Sequence, residues 1–131
     1  MNGMGATLAR LFVSGFLGVL FLQSGLDKVL DRKGNVTYFA SVFERSFLKR
    51  FSKALLTLIT LGEVAAGVLS AAGCLVLLVS RQSEMAFVGA LLSTGCIVSL
   101  FTGMRLTKDY AGAAGIVPYF LACLAGLVLL G

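Results

Sequence analysis

Glu63 is the residue of this chain with the clearest potential for chemistry, because it lies inside an apolar run over residues 54–79. A run of that length can cross a bilayer as a helix. An ionised carboxylate at such a depth costs about 3 kcal/mol or more unless it is paired, protonated or in contact with water. Its position therefore indicates a site: half of an ion pair, a ligand-binding group or a proton carrier.

Four further polar residues are predicted to come near Glu63. Gln23, Asp27 and Lys28 follow one another at the end of the first apolar segment, and Arg105 lies at the end of the third. Lys28 is the expected counter-ion, because a long side chain at a helix end can reach inward and a buried carboxylate needs a partner. Arg105 is the competing candidate. Three roles stay open for this polar cluster: a structural ion pair, a pocket for a quinone headgroup or another amphiphile, and, least supported, a proton path.

Several kinds of chemistry lack the residues they need. The sequence contains no His, which excludes haem ligation, metal sites built on His and acid–base catalysis by His. Its three cysteines, Cys74, Cys96 and Cys123, lie in three different apolar segments without a C-x-x-C pair, so we interpret them as small buried apolar residues. We predict no catalytic residue, no metal site and no covalently bound cofactor. A quinone or a lipid stays open as a ligand.

The elements that must position the polar cluster are long apolar segments. Of the 131 residues, 58% are hydrophobic and 13% are charged, which is too apolar for a soluble domain of this size. Segments 7–26, 54–79, 85–106 and 110–130 reach the length of roughly 20 residues that a membrane span requires. No convincing cleavage site follows the first segment, so we expect it to be retained. The sequence predicts an all-α integral membrane four-helix bundle, a single domain over residues 1–131.

The loop between the first two spans has a helical pattern of its own. Over residues 36–51, apolar side chains recur at steps of three and four with basic residues between them. The apolar positions are Tyr38, Phe39, Val42, Phe43, Phe47, Leu48 and Phe51. This pattern predicts an amphipathic helix that lies in the headgroup plane between the first two spans.

Basic residues predict the orientation of the bundle. Seven Lys and Arg lie in the loop between the first two spans and two more in the turn between the last two, against two on the other side. The positive-inside rule then places both basic loops in the cytoplasm and the two termini outside. Because topology explains most of the net charge of +5, we predict no nucleic-acid partner. The expected partners are the lipid bilayer and other membrane-protein subunits.

Small residues predict how the spans pack, and Asp109 and Pro118 predict where the fourth helix begins and is perturbed. Small side chains four apart allow close helix approach in lipid, as in the pairs Ser14/Gly18, Gly62/Ala66, Gly89/Ser93 and Gly95/Ser99. Helical spacing also puts Glu63, Gly67, Ser70 and Cys74 on one stripe that should face the bundle interior. In the fourth span, we expect Asp109 to be the helix N-cap and Pro118 to kink the helix or free a carbonyl there.

Arg10 and three segments also occur in a recognisable order. Residues 21–28 have the sequence FLQSGLDK, residues 61–67 LGEVAAG and residues 103–112 GMRLTKDYAG. With the four apolar segments, this order resembles the DoxX family of small bacterial four-helix membrane proteins, over most of the chain. The resemblance implies a location in the bacterial cytoplasmic (inner) membrane.

The DoxX resemblance also implies a range of roles. Members of the family are associated with thiosulfate oxidation to quinone and with membrane redox assemblies, and the family looks related to amine-dehydrogenase maturation proteins and receptor-assembly chaperones. We therefore expect a non-enzymatic accessory or assembly subunit of a larger, redox-linked membrane complex. The alternative is a quinone- or lipid-binding component of a membrane oxidoreductase of the thiosulfate-to-quinone type.

Overall fold

Six α-helices make up most of the chain in the computed structural model, which describes residues 3–44 and 46–131. They are α1 (Gly3–Leu30), α2 (Arg32–Val42), α3 (Ser52–Ser80), α4 (Glu84–Leu106), α5 (Tyr110–Gly115) and α6 (Val117–Leu130), with a 3₁₀ helix at Phe47–Phe51. In this part of the chain, four stretches are long and apolar enough to cross a membrane. They are Gly3–Leu30, Lys49–Ser80, Glu84–Leu106 and Tyr110–Leu130.

The four stretches pack as a ring of antiparallel neighbours. Helix α1 contacts α3 and α6, and α4 contacts the same two helices from the other side. The prediction of an all-α four-helix bundle is therefore confirmed. We call the end that carries residues 28–53 and 104–109 the basic end, and the end that carries the α3–α4 turn the opposite end.

Large side chains are few in the bundle interior. Leu17 and Phe21 of α1, Ala66 of α3 and Ala90 of α4 are buried at its centre together with Cys123 of α6. The exterior is apolar as well, since Phe12 is 74% exposed and Val79 is 85% exposed. An apolar exterior around a core of small residues suits a bundle in lipid, where close contact rather than the hydrophobic effect holds helices together.

Glycines bring α3 into backbone contact with both of its neighbours. A Cβ on Gly67 would lie 2.5 Å from the backbone nitrogen of Leu22 in α1, and a Cβ on Gly73 would overlap the backbone of Ala86 in α4. Gly89 of α4 meets Ser70 in the same way. In contrast, Gly95 is exposed on α4, and a Cβ added there would have nothing within 4 Å. The predicted Gly95/Ser99 pair therefore does not pack within the described part of the chain.

The amphipathic helix is shorter than predicted and begins earlier. Instead of one helix over residues 36–51, α2 spans Arg32–Val42 and is followed by the 3₁₀ helix that leads into α3. Asp31 caps the start of α2, where its carboxylate accepts the N–H of Gly34 at 3.3 Å. The helix ends at Val42, and the ring of the next residue, Phe43, is buried in the bundle near Gly103 of α4. Val36, Phe39 and Val42 of α2 are half-buried, whereas the exposed residues of this helix are mostly polar, with Tyr38 among them.

The fourth span is interrupted where the sequence predicts. Helix α5 ends at Gly115, and α6 begins at Val117 with Pro118 in its first turn. The N–H groups of a first turn have no acceptor within the helix, so the N–H that proline lacks costs no hydrogen bond there. At the start of α5, the carboxylate of Asp109 accepts the N–H of Gly112 at 3.0 Å. The predictions for Asp109 and Pro118 are both confirmed.

Two side chains close the ring at the opposite end. Arg10 donates from Nε to the carbonyl of Leu129 at 2.7 Å, and the Ser83 hydroxyl donates to the carbonyl of Leu130 at 2.9 Å. The last carbonyls of a helix lack partners within the helix, and unsatisfied carbonyls are costly in lipid. Arg10 and Ser83 therefore tie the end of α6 to α1 and to the α3–α4 turn.

We expect Arg10→Gln to lower the free energy of unfolding by about 1.5–3 kcal/mol, the usual contribution of a hydrogen bond from a charged donor. The measurement is equilibrium unfolding in mixed micelles with increasing denaturing detergent. Arg81→Gln is the matched control, since Arg81 is exposed near the same end, and its effect should stay within about 0.5 kcal/mol. Equal losses in the two variants would contradict a specific role for Arg10.

Candidate functional site

Glu63 lies in α3 and is completely buried, at 0% exposure. Gly67 and Ser70, one and two turns further along the helix, are also buried, and Cys74 is half-buried. The predicted inward stripe of α3 is therefore present. It places the carboxylate in the interior rather than on the lipid-facing surface.

Lys28 is the partner of Glu63. Its Nζ lies 3.1 Å from Oε1 and 3.3 Å from Oε2 of the carboxylate, and the second contact has hydrogen-bond geometry. The same Nζ donates to the hydroxyl of Ser24 at 2.9 Å. The Lys28 side chain is 13% exposed. The ammonium thus bridges a buried carboxylate on α3 and a hydroxyl of its own helix.

Ser24 is the residue of this site that sequence reasoning did not identify. It lies four residues before Lys28 in α1, so the two side chains share a helix face. The spacing of four residues between Ser24 and Lys28 could have identified Ser24 from the sequence. Its hydroxyl satisfies a second of the three ammonium donors and fixes the direction in which Lys28 extends.

Two glycines bring the helices of the ion pair together. A Cβ on Gly25 of α1 would lie 2.8 Å from the Val64 side chain and 3.1 Å from its backbone nitrogen. On α3, Gly67 meets the backbone of Leu22 more closely still, since an added Cβ would lie 2.5 Å from its nitrogen. Gly25 is within one turn of Lys28, and Gly67 is one turn from Glu63. The close approach of the two backbones therefore sets the reach over which the ammonium meets the carboxylate.

The site has one incompletely satisfied atom. Among the described residues, Oε1 of Glu63 has the Lys28 charge beside it but no hydrogen-bond donor. The described residues also contain no group of three or more His, Cys, Asp or Glu that could hold a metal ion. An ion pair without a second acidic group beside it is suited to holding two helices in register and poorly suited to relaying protons.

The other three predicted cluster residues lie away from the ion pair. Gln23 and Asp27 share a face of α1, as expected, but both are exposed on its outer side. Arg105 is exposed at the end of α4, where its guanidinium lies over the Tyr110 ring at 4.4 Å from the centroid. Of the two candidate counter-ions, the structure brings Lys28 and not Arg105 to Glu63.

The cysteines are placed as the sequence suggests. Cys96 and Cys123 are buried, Cys74 is half-buried, and all three are free thiols. The Cys74 thiol donates to the carbonyl of Leu11 at 3.5 Å, a contact between α3 and α1. The interpretation of these residues as small packing groups is consistent with these positions.

Two apolar grooves lie on the sides of the bundle. The first, of about 400 Å³, lies between α2, α3 and α4 at the basic end, with Phe39, Ile59 and Val98 in its walls. The second, of about 190 Å³, lies between α4 and the α5–α6 break, next to Phe101 and Phe120. Neither groove has Lys28 or Glu63 among the residues described in its walls. The ion pair and the grooves are therefore separate features.

These features define the class of the protein: a small multi-pass membrane protein with four spans and an ion pair buried between the first two. Comparison with protein-family models, with curated proteins and with solved structures finds no match.

Proposed function

We propose that this chain is a non-enzymatic accessory or assembly subunit of a larger, redox-linked membrane complex, with a role like those of DoxX proteins. The observation that carries the proposal is the burial and pairing of the Glu63 carboxylate. The carboxylate is buried and paired with Lys28, which is held in turn by Ser24. A group held in this way supports a structural role better than a reacting one.

The residues behind the DoxX resemblance give further support, because they build the bundle. Arg10 binds the end of α6, and Asp109 caps α5. Gly25 and Gly67 bring α1 and α3 together around the ion pair. The features in common with the family are therefore architectural, as expected of a subunit whose task is to fit against other membrane proteins.

The quinone- or lipid-binding alternative is the second candidate. The sequence predicts, for this alternative, that a headgroup binds beside Glu63 with Gln23, Lys28 and Arg105 around it. The grooves described above do not include the pair in their walls, and Gln23 and Arg105 are exposed, with Arg105 stacked over Tyr110. We therefore rank quinone binding at the ion pair below the accessory role.

The two candidates are separated by purification of the tagged full chain from its native membranes in mild detergent. Mass spectrometry of co-purifying proteins and lipids should then find partner subunits in stoichiometric amounts. A tagged four-span membrane protein of unrelated sequence serves as the control. Recovery of an isolated chain without partners would contradict the accessory role. Quinone that co-purifies with the wild type and is lost in a folded Glu63→Gln variant would instead favour the second candidate.

A further inference from the structure

The groove at the basic end is large enough for a ligand and is apolar. Its volume of about 400 Å³ falls within the range of roughly 300–1,000 Å³ that small-molecule sites occupy. Aromatic and aliphatic side chains of three helices form its walls, among them Phe39 of α2, Ile59 of α3 and Val98 of α4. Val98 is also half-exposed on the outside of α4, so the groove is accessible from the side of the bundle, where lipid lies.

The polar groups described in its walls are mostly committed to the protein. The hydroxyls of Ser99 and Thr102 donate to carbonyls of their own helix, both at 2.8 Å, and the Asp109 carboxylate caps α5. Tyr38, which is 57% exposed, carries the remaining hydroxyl. A groove with this lining suits a flexible hydrocarbon chain better than a headgroup rich in hydrogen-bonding atoms.

Cations lie where the groove reaches the basic end. Met104 and Leu106 line the groove, and Arg105 between them is exposed with its guanidinium stacked over Tyr110. Stacking leaves the in-plane N–H donors of a guanidinium available for an acceptor, and a fork of donors suits phosphate. Lys108, also exposed, precedes the wall residue Asp109. Two exposed cations thus adjoin residues of the groove wall in the sequence.

The charge of the whole basic end has the same sign. Residues 28–53 and 104–109 contain nine Lys and Arg, of which Lys28 is paired with Glu63, against three Asp and Glu, whereas the opposite end has Arg10 and Arg81 against Glu84. Clusters of cations beside membrane spans attract anionic lipids. The acid in the groove wall, Asp109, is already bound to the N–H of Gly112.

We propose that the groove between α2, α3 and α4 holds an acyl chain of an anionic phospholipid, whose phosphate binds Arg105 and Lys108. The apolar groove holds the acyl chain, and the two cations select the headgroup. This inference goes beyond the accessory role and does not depend on it, because it concerns the purified chain and its lipids alone.

The headgroup part is tested on the full chain in detergent, with equal amounts of phosphatidylglycerol and phosphatidylcholine added. Native mass spectrometry measures how much of each lipid stays bound. We expect the wild type to retain phosphatidylglycerol preferentially, and the Arg105→Gln/Lys108→Gln variant to lose about fivefold of that preference for each cation removed. Arg81→Gln, the control at the opposite end, should keep it. Equal retention of the two lipids by the wild type, or an unchanged preference in the double variant, would overturn the proposal.

The acyl-chain part is tested with Val98→Trp, whose indole should fill the groove and reduce the retention of both lipids at least severalfold. Because Val98 also lines the second groove, Phe101→Trp, which alters the second groove alone, should leave the retention unchanged. Leu91→Trp is the matched control, because Leu91 is 53% exposed on the same helix and is not among the residues described in the groove walls. Equal lipid retention by Val98→Trp and Leu91→Trp would show that the lipid binds elsewhere. Recovery of a quinone instead of phospholipid would also overturn the proposal. Circular dichroism shows whether each variant is folded. If Val98→Trp does not fold, the Arg105→Gln/Lys108→Gln variant, whose changes are on exposed side chains, decides the test.

Discussion

Lys28→Met is expected to lower the free energy of unfolding by about 3–5 kcal/mol, because it leaves the carboxylate of Glu63 buried without a counter-charge. Met keeps a long apolar side chain at the position, so the change removes mainly the ammonium. Glu63 is 0% exposed, and Lys28 is the cation beside it in the described part of the chain. Equilibrium unfolding in mixed micelles, followed by circular dichroism, measures the loss. A variant as stable as the wild type would contradict the structural role of the pair.

The double variant Lys28→Met/Glu63→Leu distinguishes a structural pair from a functional one. Replacing a buried ion pair by apolar residues of similar volume is often neutral or stabilising, so most of the lost stability should return. If the double variant is stable and still retains its partner proteins, the pair serves the fold. If it is stable but loses partners or ligand, the charges act in function as well. A double variant that is no more stable than Lys28→Met would show that the loss did not come from the unpaired carboxylate.

Gly67→Ala is expected to have the second large effect, a loss of about 3 kcal/mol or more, at the upper end of what overpacking does. The added Cβ would lie 2.5 Å from the Leu22 nitrogen and 2.9 Å from the Phe21 carbonyl carbon. Both are backbone atoms, so no side chain can rotate away and α1 must move off α3. Unfolding in mixed micelles gives the size of the effect.

Gly95→Ala is the control for Gly67→Ala. It makes the same chemical change in a span, but a Cβ at Gly95 has nothing within 4 Å. Since Ala favours helix over Gly by about 0.5–1 kcal/mol, this variant should be neutral or slightly more stable. Similar losses at the two glycines would contradict the interpretation of Gly67 as the point of closest helix approach.

The number of spans could be predicted, and a cation at a helix end could be expected as the partner of Glu63, with Lys28 preferred to Arg105, because each follows from a strong physical requirement. Apolar runs must be long enough to cross a bilayer, and a buried carboxylate must find a cation within reach. Lys28 met that requirement from a helix end. The ends of α1 were less predictable: it continues to Leu30, beyond the apolar run, because a helix does not have to stop where the hydrocarbon ends.

The side of α1 that faces the bundle was harder to predict. Gln23 and Asp27 share a face, but spacing does not say whether that face turns inward. The contact of Gly25 with Val64 of α3 decides it, and this is a property of two helices together. The guanidinium of Arg105 lies over the Tyr110 ring instead. Helical periodicity within one span carries no information on such a contact with the next helix.

The bond between Arg10 and Leu129 has a consequence for biosynthesis. Its two residues are 119 positions apart, so it can form only after the ribosome has made α6 and the membrane has received it. The first three spans already share the tight contacts of α3 with α1 and α4 by then. Insertion of α6 is therefore the step that completes the ring, and the Arg10 side chain has no α6 carbonyl to bind before that step.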